Sequence, residues 1–158
     1  MSRQGLIATI FWLCLGGLFY YLADGVQNPN KVGKLGDSSS VTLKRGPDGH
    51  YRAEAFINGQ KVDVLVDTGA TGVAISQRVA DKLGLKSISA ISTSTANGDS
   101  VGYLVRLDSV KVGGVEARNV SAMIAPGLQG DVLLGMSYLG RMDVRLFKGE
   151  MTIKQVEP

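Results

Sequence analysis

Val64-Leu65-Val66-Asp67-Thr68-Gly69-Ala70-Thr71 is an apolar strand that runs directly into a carboxylate and a glycine turn. Upstream, Val62, Val64 and Val66 alternate with Lys61 and Asp63, the period of a strand with one buried face. A carboxylate placed at the end of such a strand sits on a turn rather than on a solvated face. Glycine lets the backbone close on the carboxylate, so that its N–H can hydrogen-bond it. The β-branched threonine restricts χ1, and its hydroxyl can lock the loop. Asp67 is then fixed, partly desolvated and suited to acid–base work. A bare Asp-Thr-Gly is most often an ordinary turn, since Asp and Gly are common there. What surrounds it must decide.

Working outward, the pattern is overwhelmingly β. Asn58-Gly59 is a two-residue hairpin signal joining residues 50–57 to the strand at 60–66. Gly46-Pro47-Asp48-Gly49 makes a turn from residues 41–45 into 50–57. Ser76 is placed to cap a short helix over 77–83, closed by Gly84. Beyond it, Asn97-Gly98 forms the tip of another hairpin, with Val101, Tyr103, Val105 and Leu107 alternating on the return strand. Gly113-Gly114 and Lys148-Gly149 mark two more hairpins, and Met142, Val144 and Leu146 alternate with Arg141, Asp143 and Arg145. Eight or nine short strands with one or two helical turns imply a closed or nearly closed β architecture. The 21 glycines among 158 residues, roughly twice the usual share, agree with many tight turns.

Some 65 residues after the first motif comes Asp131-Val132-Leu133-Leu134-Gly135-Met136-Ser137, apolar residues ending in glycine before a helical turn. The Asn97-Gly98 hairpin lies between the two. With these three elements the chain resembles the retropepsin-like aspartic proteases, and specifically their membrane-anchored bacterial members. The resemblance covers about residues 41–157. Leu65-Val66-Asp67-Thr68-Gly69-Ala70 matches the family's apolar-apolar-Asp-Thr-Gly-Ala. Leu133-Leu134-Gly135 matches the later apolar-apolar-Gly element through which the active-site loop is threaded. The flap, a hairpin closing over substrate, corresponds to residues 91–105 with Asn97, Gly98 and Asp99 at its tip. Thr71 stands where retroviral members often carry an acidic residue, and the flap tip lacks their glycine-rich signature.

The resemblance implies a single-lobe, all-β closed barrel, with Asp67 catalytic, Thr68 and Gly69 organising its loop and Ala70 lining the site. Aspartic proteolysis needs two carboxylates about 3 Å apart sharing one proton. Only one Asp-Thr-Gly occurs, since Asp99-Ser100-Val101 and Asp108-Ser109-Val110 lack the glycine. A single-lobe domain of residues 41–158 must then dimerise, pairing Asp67 with its symmetry mate.

At the other end of the chain, residues 5–23 read GLIATIFWLCLGGLFYYLA, without a charge. As a helix this run is about 28 Å long, enough to cross a hydrocarbon core. Phe19, Tyr20 and Tyr21 sit at its far end, where amphipathic rings favour headgroups. A cleaved signal peptide is the competing reading, and Ala23-Asp24-Gly25 offers a small-x-small site. The run exceeds the 7–15-residue core of such peptides, so an uncleaved anchor is expected. A tail of residues 1–4 suits an N-in signal anchor, although Lys31 and Lys34 beyond the helix compete with Arg3. This arrangement puts the chain in the inner membrane with its folded part periplasmic. Residues 24–40, with Asn28-Pro29-Asn30 and Ser38-Ser39-Ser40, read as a linker.

Composition removes other chemistries. Seventeen Lys+Arg against 14 Asp+Glu, scattered, form no basic face for nucleic acid. One cysteine, Cys14, and one histidine, His50, leave no disulfide framework and little for a metal centre or a Ser-His-Asp triad, so neither metal nor cofactor is expected. His50, beside Tyr51 and Arg52, reads as a surface residue. The expectation is a membrane-anchored, homodimeric aspartic endopeptidase acting on a peptide or protein substrate. Its rival is a non-catalytic module of the same fold that dimerises or binds peptides at the membrane.

Overall fold

The computed structural model describes residues 3–27, 30–31, 38–95 and 98–156. Helix α1 (Arg3–Gln27) is followed by ten strands and two short helices among the described residues. These are β1 (Ser40–Lys44), β2 (Tyr51–Ile57), β3 (Gln60–Val66), β4 (Val73–Ile75), α2 (Gln77–Lys82), β5 (Ser89–Thr95), β6 (Gly98–Val112), β7 (Val115–Ile124), β8 (Val132–Leu134), α3 (Met136–Leu139), β9 (Met142–Phe147) and β10 (Glu150–Gln155). The domain is all-β, as expected from its turn and strand signals.

Six strands close into a barrel. They run β2-β3-β8-β4-β7-β6, and β6 returns to β2 through the pairs Phe56↔Lys111 and Ile57↔Val110. Closure removes the sheet edges that would otherwise stand open. Inside lie Val62, Val64 and Val66 from β3, Val105, Leu107 and Val110 from β6, and Val132 and Leu134 from β8. Of the four residues whose alternation marked the return strand, Val105 and Leu107 are buried, but Val101 and Tyr103 are exposed. Each such side chain contributes about 1.5–3 kcal/mol by leaving water. β1, β10 and β9 form a separate three-stranded antiparallel sheet, and Val41, Leu43, Met151 and Ile153 join it to the same core.

The turns are where their residues demand. Asn58 (φ 48°) and Gly59 (φ 78°), then Lys148 (φ 46°) and Gly149 (φ 80°), have the paired positive φ of tight hairpins. The Ser76 hydroxyl accepts the Val79 N–H (3.4 Å) at the start of α2, and Gly84 takes the left-handed conformation (φ 63°) after its end. β5 and β6 form the expected hairpin, with one shift. Thr95 pairs with Gly98, so Gly98 and Asp99 belong to β6 rather than to the tip, and Asn97 lies outside the described residues.

Three expectations change. α1 runs four residues beyond Ala23, because Asp24-Gly25-Val26-Gln27 carries no proline to stop it. Gly5–Asp24 within it is long and apolar enough to cross a membrane, a property it shares with signal sequences. Nor is the stretch 24–40 simply a linker, because Asn30 within it is buried against β1 and β2. The alternation in β9 is also looser than its sequence suggests: Met142 and Val144 pack on the core, but Leu146 and Phe147 are exposed.

Candidate active site

β8 lies between β3 and β4, parallel to the first and antiparallel to the second. Val64, Leu65 and Val66 pair with Val132, Leu133 and Leu134, and the ladder runs on past the strand, where the Asp67 N–H donates to the Leu134 carbonyl (3.0 Å). Asp67 is therefore positioned by its backbone. Since Val62, Val64 and Val66 point into the barrel, Asp63, Leu65 and Asp67 share the opposite phase of the pleat. Asp67 is half-buried at the head of this row.

The loop after it is held by peptide groups. The Gly69 N–H donates to Asp67 Oδ1 (2.8 Å), the bond expected of a glycine at this position. A Cβ on Gly69 would come 3.2 Å from that same oxygen, so the close approach favours glycine. Met136 N–H donates to the Ala70 carbonyl (2.8 Å), which ties the loop to the start of α3. Gly135 is packed so tightly beneath the loop that a Cβ would lie 2.3 Å from the Gly72 oxygen and 2.5 Å from the Ala70 oxygen. Here glycine is a steric requirement. Ser137 completes the frame: its Oγ accepts the Val73 N–H (2.9 Å) and donates to the Ser121 carbonyl (2.9 Å).

The Thr68 side chain is exposed and makes no hydrogen bond within the chain among the described residues. Within the chain, glycine geometry and the β8–α3 junction hold the loop. Ala70 is half-buried beside Gly135. The structure thus brings together Asp67, Gly69, Ala70, Leu134 and Gly135. Gly98 and Asp99 stand on β6, in a hairpin whose β5 strand pairs with β6 alone among the described residues.

An open cleft of about 500 Å³ adjoins this row, its lining including the apolar Leu65 and Leu133, the charged Arg52, Glu54, Asp63 and Asp131, and Asn30, Lys31, Gln129 and Gly130. Asp67 is not in its lining, but stands two residues past Leu65, about 7 Å along the chain on the same face. The charged lining residues are largely paired: Arg52 with Asp48 (2.9 Å), Glu54 with Lys61 (2.7 Å), Asp131 with Arg78 and Lys31 with Asp24. The hydrogen bond to Asp24 holds the Lys31 ammonium above its usual range. Leu65 and Leu133 each stand in a matched motif that implies no lining role for them, and the charged residues of the cleft belong to no motif. The phase of β3 was the available signal, since it sets Leu65 on the face of Asp67.

Comparison with known proteins adds three findings. A family model described as "gag-polyprotein putative aspartyl protease" matches residues 53–141. The crystal structure of a retropepsin-like aspartic protease from Rickettsia conorii superposes with a TM-score of 0.62 at 32% identity, over 73% of this chain and 89% of that one. Two curated relatives, both described as uncharacterized proteins, are 36% identical over 112 residues (Rickettsia prowazekii strain Madrid E) and 32% over 108 residues (Sinorhizobium sp). These alignments take in 69% and 66% of this chain. The chain spans 46% of the length of each of these two relatives.

Proposed function

The chain belongs to the retropepsin-like aspartic proteases, and from that membership we propose that it is an aspartic endopeptidase whose catalytic pair is Asp67 and the Asp67 of a second copy. The observation that carries this reading is the Asp67 loop. A half-buried carboxylate is fixed by its own N–H to Leu134 and by the Gly69 N–H, above a glycine that admits no side chain. A peptide-binding module has no need to fix a carboxylate so, least of all one that must face its symmetry mate in repulsion.

In the proposed dimer the two carboxylates share one proton. The ionised member takes a proton from water as it attacks the scissile carbonyl, and the protonated member gives its proton to the carbonyl oxygen. The cleft lined by Leu65 and Leu133 accepts side chains next to the cut bond, and the β5–β6 hairpin closes over them. Thr68, exposed beside Asp67, is free to meet the partner chain. The exposed Leu146 and Phe147 on β9, the outer strand of a three-stranded sheet, supply uncovered apolar surface of the kind a partner covers.

We further propose that α1 anchors this dimer in the inner membrane, its domain on the periplasmic side. Support comes from the 20-residue apolar span Gly5–Asp24, with Tyr20 and Tyr21 at its end. The test of the activity is incubation of the purified full chain with a peptide library, wild type beside Asp67→Asn. Specific cleavage by the wild type alone is expected. Equal cleavage by both would place catalysis elsewhere.

A further inference from the structure

We propose that the cleft beside Asp67 works at the lipid surface, and that its substrates are membrane-tethered polypeptides cut within a short stretch outside their own membrane anchors. The inference rests on the protease and anchor readings above and concerns where the cleft stands. Asn30 fixes that. It is 4% exposed, and its side-chain amide donates to the carbonyls of Lys44 (2.9 Å) and Arg52 (2.8 Å). Its side-chain oxygen accepts the Lys44 N–H (2.8 Å), and its backbone carbonyl accepts the Glu54 N–H (3.3 Å). Four hydrogen bonds thus fasten one residue to β1 and β2 together. A buried amide so fully satisfied is costly to pull out.

The chain from α1 to this clamp is short. Residues 28 and 29 alone separate Gln27, the last residue of α1, from Asn30. Even fully extended, three Cα–Cα steps reach about 11 Å. α1 itself continues three residues past Asp24, the end of the apolar span, adding about 4.5 Å. Asn30 therefore lies within about 15 Å of the hydrocarbon boundary whatever path the connection takes, and the headgroup layer occupies roughly 5–7 Å of that. The ion pair of Lys31 with Asp24 draws the same two ends together.

Asn30 and Lys31 are also part of the cleft lining. The domain is thus tethered by the cleft, and the cleft opens close to the headgroups. Its lining mixes signs, with Arg52 and Lys31 against Glu54 and Asp63, which suits the backbone and varied side chains of a peptide better than an anionic headgroup. An extended segment just outside another membrane helix is already at this height, and confinement to one bilayer raises its effective concentration. A loop carried far above the membrane is out of reach.

Two measurements on the full chain in phosphatidylcholine vesicles test this. In the first, a fluorophore is placed at Gln129→Cys in a Cys14→Ser background, and quenching by headgroup spin-labelled lipid is read. Strong quenching is expected, falling about threefold or more when a flexible ten-residue Gly/Ser spacer is inserted after Gln27; the spacer lengthens the tether and spares the Asn30 clamp. In the second, one cleavage sequence is presented on two membrane-anchored substrates, about five residues from the bilayer or above a folded spacer domain. The near site should be cut about tenfold faster or more. The spacer insertion should erase that preference while leaving the cutting of a soluble peptide unchanged. An unquenched probe, or equal cutting of the two substrates by the unmodified chain, overturns the proposal. Quenching as expected with no peptide cut, soluble or anchored, overturns the protease reading and with it the substrate class, leaving only the placement.

Discussion

At the scale of single residues, the site is built by backbone rather than by side chains. Asp67 receives its position from the Leu134 carbonyl and one of its hydrogen bonds from the Gly69 N–H. Asp67→Asn preserves the shape and volume of the side chain but removes the carboxylate proposed to take a proton from water. Cleavage should fall about 100-fold or more, with circular dichroism and melting temperature unchanged, and enzyme assays beside thermal melts check both. Gly135→Ala should behave in the opposite way. Its methyl would overlap the Gly72 and Ala70 carbonyls, and these are fixed peptide atoms that cannot swing aside. Destabilisation of about 1–3 kcal/mol or more is expected, read from a shifted denaturation midpoint. Both residues were legible as a motif because their chemistry is local: a strand ending in Asp-Thr-Gly, and a glycine closing an apolar pair. The exposure of Thr68 was not legible, since which way its hydroxyl faces depends on packing that the tripeptide does not encode.

Hairpins carry the element scale. Asn58-Gly59, Gly113-Gly114 and Lys148-Gly149 announce themselves because these residues accept the backbone that a two-residue reversal needs. The parallel pairing of β3 with β8 has no such signature, since strands some 65 residues apart leave only apolar composition in common. The assignment of β1 to a different sheet from β2 was equally hidden, as was the burial of Asn30, an asparagine in a run of turn-forming residues. Asn30→Ala should cost about 1–3 kcal/mol, because it strands the Lys44 N–H and the carbonyls of Lys44 and Arg52 at a part-buried junction. Denaturant titration of the full chain in detergent reads this directly. The β1–β2 turn also carries a pH signature. The His50 N–H and then Arg52 hold the Asp48 carboxyl below its usual range. The ionised form is therefore favoured by folding. Its contribution is complete above the ordinary carboxylate range and disappears as acid protonates Asp48 in the folded state. Asp48→Asn should flatten the acid limb of the stability profile only slightly, because the pair is exposed and screened by solvent.

The whole molecule poses a question that a single chain leaves open by its own chemistry: on the proposed reading, its one Asp-Thr-Gly supplies half of a catalytic pair. If, as proposed, the dyad forms only in the dimer, activity in dilute detergent should drop more steeply than enzyme concentration and hold up better in vesicles. Two carboxylates sharing a proton are active in the singly protonated state. Plots of kcat/KM against pH should accordingly be bell-shaped with a mildly acidic maximum, falling in acid as a second proton binds and in base as the shared one leaves. The most direct test mixes wild-type and Asp67→Asn chains at fixed total concentration, allowing them to exchange. If each site draws one Asp67 from each chain, activity follows the square of the wild-type fraction, and an equal mixture retains about a quarter of the full rate. An equal mixture that retains half, with activity linear in the wild-type fraction, would mean that each chain is catalytic by itself and would contradict the shared site.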